Sequence, residues 1–162
     1  MAQSFFGGIH PNDQKAATCD KPIRKIAPPV QVVIPMSLHI GAPCTPLVKA
    51  GDMVKVGQKI GDATAPVSAP IHASVSGKVL AVEPRIHANG AKVMSVVIEN
   101  DFLDTLDDSV KPVENPETLD AKAFSALVRE AGIVGMGGAT FPTQIKIDSA
   151  LGKVDKVIIN AA

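Results

Sequence analysis

From "VQVVIP" at 30–35 to "VMSVVIEN" at 93–100, short β-branched runs alternate with polar positions and with turn signals. The turns fall at "GAPCTP", "KAGD", "KVGQ", "SGK" and "HANGAK". Runs this short, with Gly, Pro and Asn between them, predict an all-β domain over 30–100. Its expected core is Val32, Ile34, Leu47, Val48, Val54, Val56, Ile60, Val75, Val79, Val82, Val93, Val96 and Ile98. Ahead of it, residues 1–29, ending in the Pro- and Lys-rich "KPIRKIAPPV", have no periodicity and suit an extended arm.

After the β domain, the acidic "DFLDTLDDSVKPVENPET" lies in a linker over 101–119. The pattern then changes period. "DAKAFSALVREAG" places Phe124, Leu127, Val128 and Ala131 at i, i+3, i+4 and i+7, with Asp120 as N-cap and Gly132 just past the end. A glycine-rich loop follows, then a short helix from Pro142. The apolar "KVDKVIINAA" then reads as a buried strand. Helix, Gly-rich loop, helix and strand open an α/β fold, so 120–162 is the beginning of a second domain. One strand forms no sheet, and the chain is therefore expected to be a fragment of a longer protein.

Sixteen basic residues balance sixteen acidic ones, and there is no Trp or Tyr. Neither a phosphate-binding field nor a base-stacking platform is visible, so nucleic acid is not expected as a partner. No apolar run approaches the roughly 20 residues that span a bilayer, and "MAQSFFGGIHPND" lacks a signal-peptide pattern. The two cysteines, Cys19 and Cys44, form no CxxC motif and are expected as free thiols. His10, His39, His72 and His87 show no metal-ligand spacing, and no metal site or catalytic residue is nominated.

Two elements, "VKAGDMVKVGQKIGD" and "APVSAPIHASVSGKVLAVEP", resemble the halves of a biotinyl/lipoyl-type domain. In that family a hairpin tip presents a lysine for the prosthetic group. Here no lysine occurs between Lys59 and Lys78, and the tip reads "DATAPVSAP". Without the amine no amide forms, so the domain is expected to be a scaffold or docking module.

"GIVGMGGATFPTQIK" at 132–146 holds Gly132, Gly135, Gly137 and Gly138. Two readings stand side by side. One is a tight turn at a crowded helix crossing; the other is an anion or cofactor cradle, with backbone N–H groups, a helix N-terminus and Lys146 around a phosphate. The spacing fits neither the Rossmann GxGxxG nor the P-loop.

The whole string, with "VIINAA" after it, resembles the flavin loop of the NADH-oxidising subunit of respiratory complex I and of the C subunit of the Rnf electron-transport complex. "FFGGIHP", "VIPMSLHIGAPCTPLVKAGDMVKVGQ" and "APIHASVSGKV" resemble the Rnf protein specifically. The resemblance implies a lipoyl-like barrel-sandwich hybrid domain followed by the start of a Rossmann-like FMN-binding domain. It implies a peripheral subunit on the cytoplasmic side of the inner membrane, in a complex coupling ferredoxin and NAD(H) electron transfer to Na⁺ or H⁺ transport. FMN and two [4Fe–4S] clusters are implied cofactors, the clusters in a C-terminal region this chain does not include.

By the same resemblance Gly135, Gly137 and Gly138 line FMN, Lys146 and Asn160 contact flavin or nucleotide, and Phe141 stacks on the adenine of NADH. The complex I pattern has Arg at Met136 and Gly at both Thr140 and Gln144. The alternatives are a non-catalytic docking module and the A subunit of the Na⁺-translocating NADH:quinone reductase, which shares this layout. On the main reading the 162-residue fragment alone is inactive.

Overall fold

The computed structural model describes residues 12–158. Seven strands build two antiparallel sheets: β1 (Gln31–Pro35), β2 (Thr45–Pro46), β3 (Met53–Val54), β4 (Lys59–Asp62), β5 (Ile71–His72), β6 (Gly77–Ile86) and β7 (Lys92–Asn100). One sheet has the order β1-β7-β6-β3 and the other β2-β4-β5. Two helices follow, α1 (Ala121–Glu130) and α2 (Thr143–Ala150).

The long β6–β7 hairpin is set by "HANGAK". His87 donates its N–H to Ala91 O at 2.8 Å, and Gly90, at φ +83°, closes the turn on His87 O at 2.9 Å. Ile86 thus pairs with Lys92, and the register runs to Gly77 opposite Asn100, with an irregularity between Val79 and Ala81. In this register Val79 and Ile98 are paired, and both are fully buried with Val96.

Ile34, Val54, Val79, Val96 and Ile98 from the first sheet meet Ile60 and Ile71 from the second, with Met36, Cys44, Ala73 and Val75 filling between them. Val32, Val48 and Val82 pack at the margin of this core, while Val56 and Val93 are half-buried. Leu47 departs from expectation at 56% exposure. Neighbours in an extended chain point to opposite faces, so with Val48 turned toward the core Leu47 faces out. Met36 and Cys44 lie outside any regular alternation, whereas Ile71 and Ala73 alternate with the less buried His72 and Ser74; none of the four was expected in the core.

One polar group is satisfied inside it. The Ala69 N–H donates to His39 Nε2 at 3.1 Å, which makes Nδ1 the protonated nitrogen, donating to Ile40 O at 3.1 Å. The Cys44 thiol donates to Ala69 O at 3.2 Å. Burial pushes that thiol above its ordinary pKa, and the Asp62 charge adds to the rise against the opposing pull of Arg129. Among the described residues no group of three His, Cys, Asp or Glu side chains is arranged to hold a metal ion. No helix among them is long and apolar enough to cross a membrane.

Residues 12–29 are exposed, with a single 3-10 turn at Lys15–Ala17. Asn100 ties the end of this segment to the sheet, donating Nδ2–H to Pro29 O at 3.0 Å. After β7 the chain runs along the sandwich, where Val56 N–H donates to Thr105 O and Asp107 N–H to Val56 O, each at 2.9 Å.

The strand expected over "KVDKVIINAA" is not formed in its described part: Val157 and Ile158 are 78% and 95% exposed and unpaired. A strand needs a neighbour for its N–H and C=O groups, and no described strand lies beside this one. Ile159 to Ala162, including Asn160, lie outside the described residues, as does the "FFGGIHP" segment.

Candidate functional site

Helix α1 begins as the capping pattern requires, with Asp120 Oδ1 accepting the Ala123 N–H at 2.7 Å. It ends at Gly132, whose φ of +68° is the left-handed conformation that glycine adopts without a Cβ penalty. A β-carbon there would stand 2.5 Å from Pro70 O and 3.1 Å from His72 Nδ1. The helix therefore ends directly on the β4–β5 hairpin. Of its expected apolar face, Val128 is buried, while Phe124 and Leu127 stay partly exposed. Ser125 is buried instead, because its hydroxyl donates to Asp148 of α2, which also accepts from Gln144.

Four charged side chains join the end of α1 to the hairpin. Arg129 donates through Nη2 to Asp62 Oδ1 and to Ala63 O, both at 2.9 Å, and through Nη1 to Glu130 Oε1 at 2.9 Å. Lys59 bridges Asp62 Oδ2, at 3.3 Å, and Glu130. Burial alone would raise the Asp62 carboxyl, but hydrogen bonds from Arg129, the Ala63 amide and Lys59 hold it below the ordinary carboxylate range. The hydrogen bond from Lys59 draws Glu130 down as well. His72 is pushed down by burial and by the Lys59 ammonium beside it.

The glycine-rich loop leaves α1 and returns to α2 through an antiparallel bridge between Val134 and Pro142. Gly135 N–H donates to Phe141 O at 2.9 Å and Thr143 N–H to Ile133 O at 3.0 Å. Between these closures the tip is exposed, and Met136 is 93% accessible. Thr140 sits at φ +47°, an outlier for a β-branched residue and the position where the complex I pattern carries Gly. Lys146, one turn into α2, reaches back over the loop: a β-carbon on Gly135 would lie 2.6 Å from its Nζ. A β-carbon on Gly137 or Gly138 would meet no atom of the described residues within 4 Å.

The structure thus places Lys146 beside Gly135, with Gly137 and Gly138 on the exposed tip of the same loop and Phe141 half-buried on its return limb. Sequence reasoning missed the cluster of Lys59, Asp62, Arg129 and Glu130. Its members are 67 to 71 residues apart across the fold, and the only local signal was a basic residue in the last turn of α1.

A family model described as the RnfC barrel sandwich hybrid domain matches residues 3–103, and one described as the Nuo51 FMN-binding domain matches 128–162. Among curated relatives, the C subunit of the Na(+)-translocating ferredoxin:NAD(+) oxidoreductase complex of Acetobacterium woodii is 56% identical over 98% of this chain and 36% of its own length. The C subunit of the proton-translocating ferredoxin:NAD(+) oxidoreductase complex of Clostridium ljungdahlii is 46% identical over 100% of this chain and 36% of its own. The C subunit of the ion-translocating oxidoreductase complex of Vibrio cholerae is 38% identical over 98% and 21%. The chain spans about a third or less of the length of these relatives. Across both of its parts, the chain belongs to the family of Rnf complex C subunits.

Proposed function

We propose that this chain is the N-terminal part of a peripheral subunit of an ion-translocating ferredoxin:NAD oxidoreductase, and that the loop at 135–141 with Lys146 belongs to its FMN site. The pair Gly137 and Gly138 carries this reading. Neither has a left-handed φ, and among the described residues no atom comes within 4 Å of either β-position. Glycine in ordered backbone costs roughly 0.5–1 kcal/mol relative to alanine. Conformation and packing among the described residues do not offset that cost here, which leaves close approach by another molecule or segment. This favours the cradle over the crowded turn.

The donor set suits a flavin phosphate. Lys146 supplies a cation above Gly135, and α2 starts at Thr143, so the positive end of its dipole lies at the same end of the loop. On this reading Gly135, Gly137 and Gly138 admit the cofactor to the backbone, Lys146 holds its phosphate and Asn160 adds a polar contact. Phe141 offers its ring to the adenine of NADH. FMN, when bound, links two-electron transfer with NAD(H) to one-electron carriers, and the protein supplies binding and orientation. The two [4Fe–4S] clusters, the ferredoxin partner and the remaining subunits belong to the full complex, on the cytoplasmic side of the membrane. The lipoyl-like domain serves there as scaffold.

Flavin-fluorescence titration of the full-length subunit tests the reading. The wild type should bind FMN tightly, whereas the 162-residue chain alone binds it at millimolar affinity or worse, about −4 kcal/mol. Gly137→Val should weaken binding in the full-length subunit more than Lys146→Ala, because its side chain fills the approach to the backbone. Unchanged affinity in both variants would return the glycines to a packing role.

A further inference from the structure

We propose that the tip of the β4–β5 hairpin is the seat that orients the cofactor loop, with Arg129 and Asp62 as its positioning residues. The inference rests on the FMN reading above. Both flanks of the tip touch the last turn of α1. On one side the Arg129 guanidinium grips the Asp62 carboxylate and the Ala63 carbonyl; on the other, the Gly132 backbone lies against Pro70 and His72. The loop begins at the next residue, Ile133.

The seat is itself held firmly. Ser68 is buried, and its hydroxyl hydrogen-bonds to Ala63 O at 3.0 Å and Ala65 O at 2.8 Å. Ala69 is fixed through His39 at 3.1 Å. An exposed ion pair sets a distance loosely and contributes little. A guanidinium bonded to a carboxylate and a carbonyl at once, with both side chains 26% exposed, fixes direction as well. Among the described residues the loop tip has no comparable anchor on the sandwich: the glycines at 137 and 138 meet nothing there within 4 Å of their β-positions. Its direction relative to the β sandwich is therefore transmitted from the hairpin through the end of α1. The place where a carrier domain would present a modified lysine is occupied here by this dock.

The test uses the full-length subunit with Arg129→Ala, Arg129→Lys and Asp62→Asn, reading FMN affinity and amide hydrogen exchange over 133–142. Arg129→Ala should weaken FMN binding roughly tenfold, the size of one lost charge-assisted hydrogen bond. It should also speed exchange of the Gly135 amide while leaving that of β6 and β7 unchanged. Arg129→Lys should fall between it and the wild type. Wild-type affinity and exchange in both Arg129→Ala and Asp62→Asn would overturn the proposal. If Arg129→Ala unfolds, Arg129→Lys and Asp62→Asn decide it by the same two readouts. A wild-type protein that binds no FMN would overturn the cofactor reading, and loop exchange in the variants would still decide whether the hairpin seats the loop.

Discussion

The ammonium of Lys146 stands over the backbone of Gly135, so close that a β-carbon on the glycine would lie 2.6 Å from Nζ. A lysine head can swing aside. Gly135→Ala should therefore cost the fold little, under about 1 kcal/mol, because the atom that must move is the end of a flexible chain. The displaced ammonium would nonetheless leave its post. Gly135→Ala and Lys146→Ala should each weaken FMN binding about tenfold, and the double variant little more than either, since residues sharing one interaction are non-additive. Titration of the three variants in the full-length subunit checks this; additive losses would separate the glycine from the lysine.

The hairpin tip at 62–70 carries no lysine and spends the Ala63 carbonyl on Arg129. Intact-mass analysis of the purified full-length protein should show no biotinyl or lipoyl adduct. An adduct on any lysine would end the scaffold assignment.

Much of this is legible in the sequence. The β-branched runs between Val32 and Ile98 became the sandwich because period-two alternation and the turn at "HANGAK" act locally. Asp120 and Gly132 bounded α1 for the same reason. What escaped was everything set by distant contact. Leu47 and Val48 are both apolar, and only the sheet decides which turns inward. Met36 and Cys44 reach the core from irregular backbone. The role of Arg129 escaped too, because nothing in the local sequence points it at Asp62, 67 residues earlier. The glycine loop was legible as an unusual composition, and the open space around Gly137 and Gly138 among the described residues is what the proposed cradle adds to it.

The buried pair of His39 and Cys44 yields a further expectation. His39→Ala would leave the Ala69 N–H without its acceptor inside the core, an omission that costs about 1–3 kcal/mol. Denaturant unfolding should register that loss. Cys44 is buried with its thiol held protonated, while Cys19 is exposed. Alkylation of the native protein should therefore mark Cys19 rapidly and Cys44 only on unfolding. Equal labelling rates would mean that the second sheet opens readily.

The dock between hairpin and helix should also make stability fall in two stages as pH drops. His72 has a folded-state pKa below its ordinary value, through burial and the Lys59 ammonium. The unfolded chain therefore takes up a proton near pH 6.5 that the folded protein refuses, and stability present above that pH declines below it. Asp62 and Glu130 are likewise held low by their hydrogen bonds to Arg129 and Lys59, so their contribution is complete above roughly pH 4–4.5 and is lost as pH falls further. Both partly exposed pairs are screened by solvent, so the acid stage should shrink in high salt. Thermal unfolding of the full-length subunit between pH 3 and 8 reads both stages. His72→Gln should flatten the limb that begins as pH falls through about 6.5, and Asp62→Asn the limb that begins below about 4. The same limbs in wild type and both variants would show that the hairpin groups do not control the pH response.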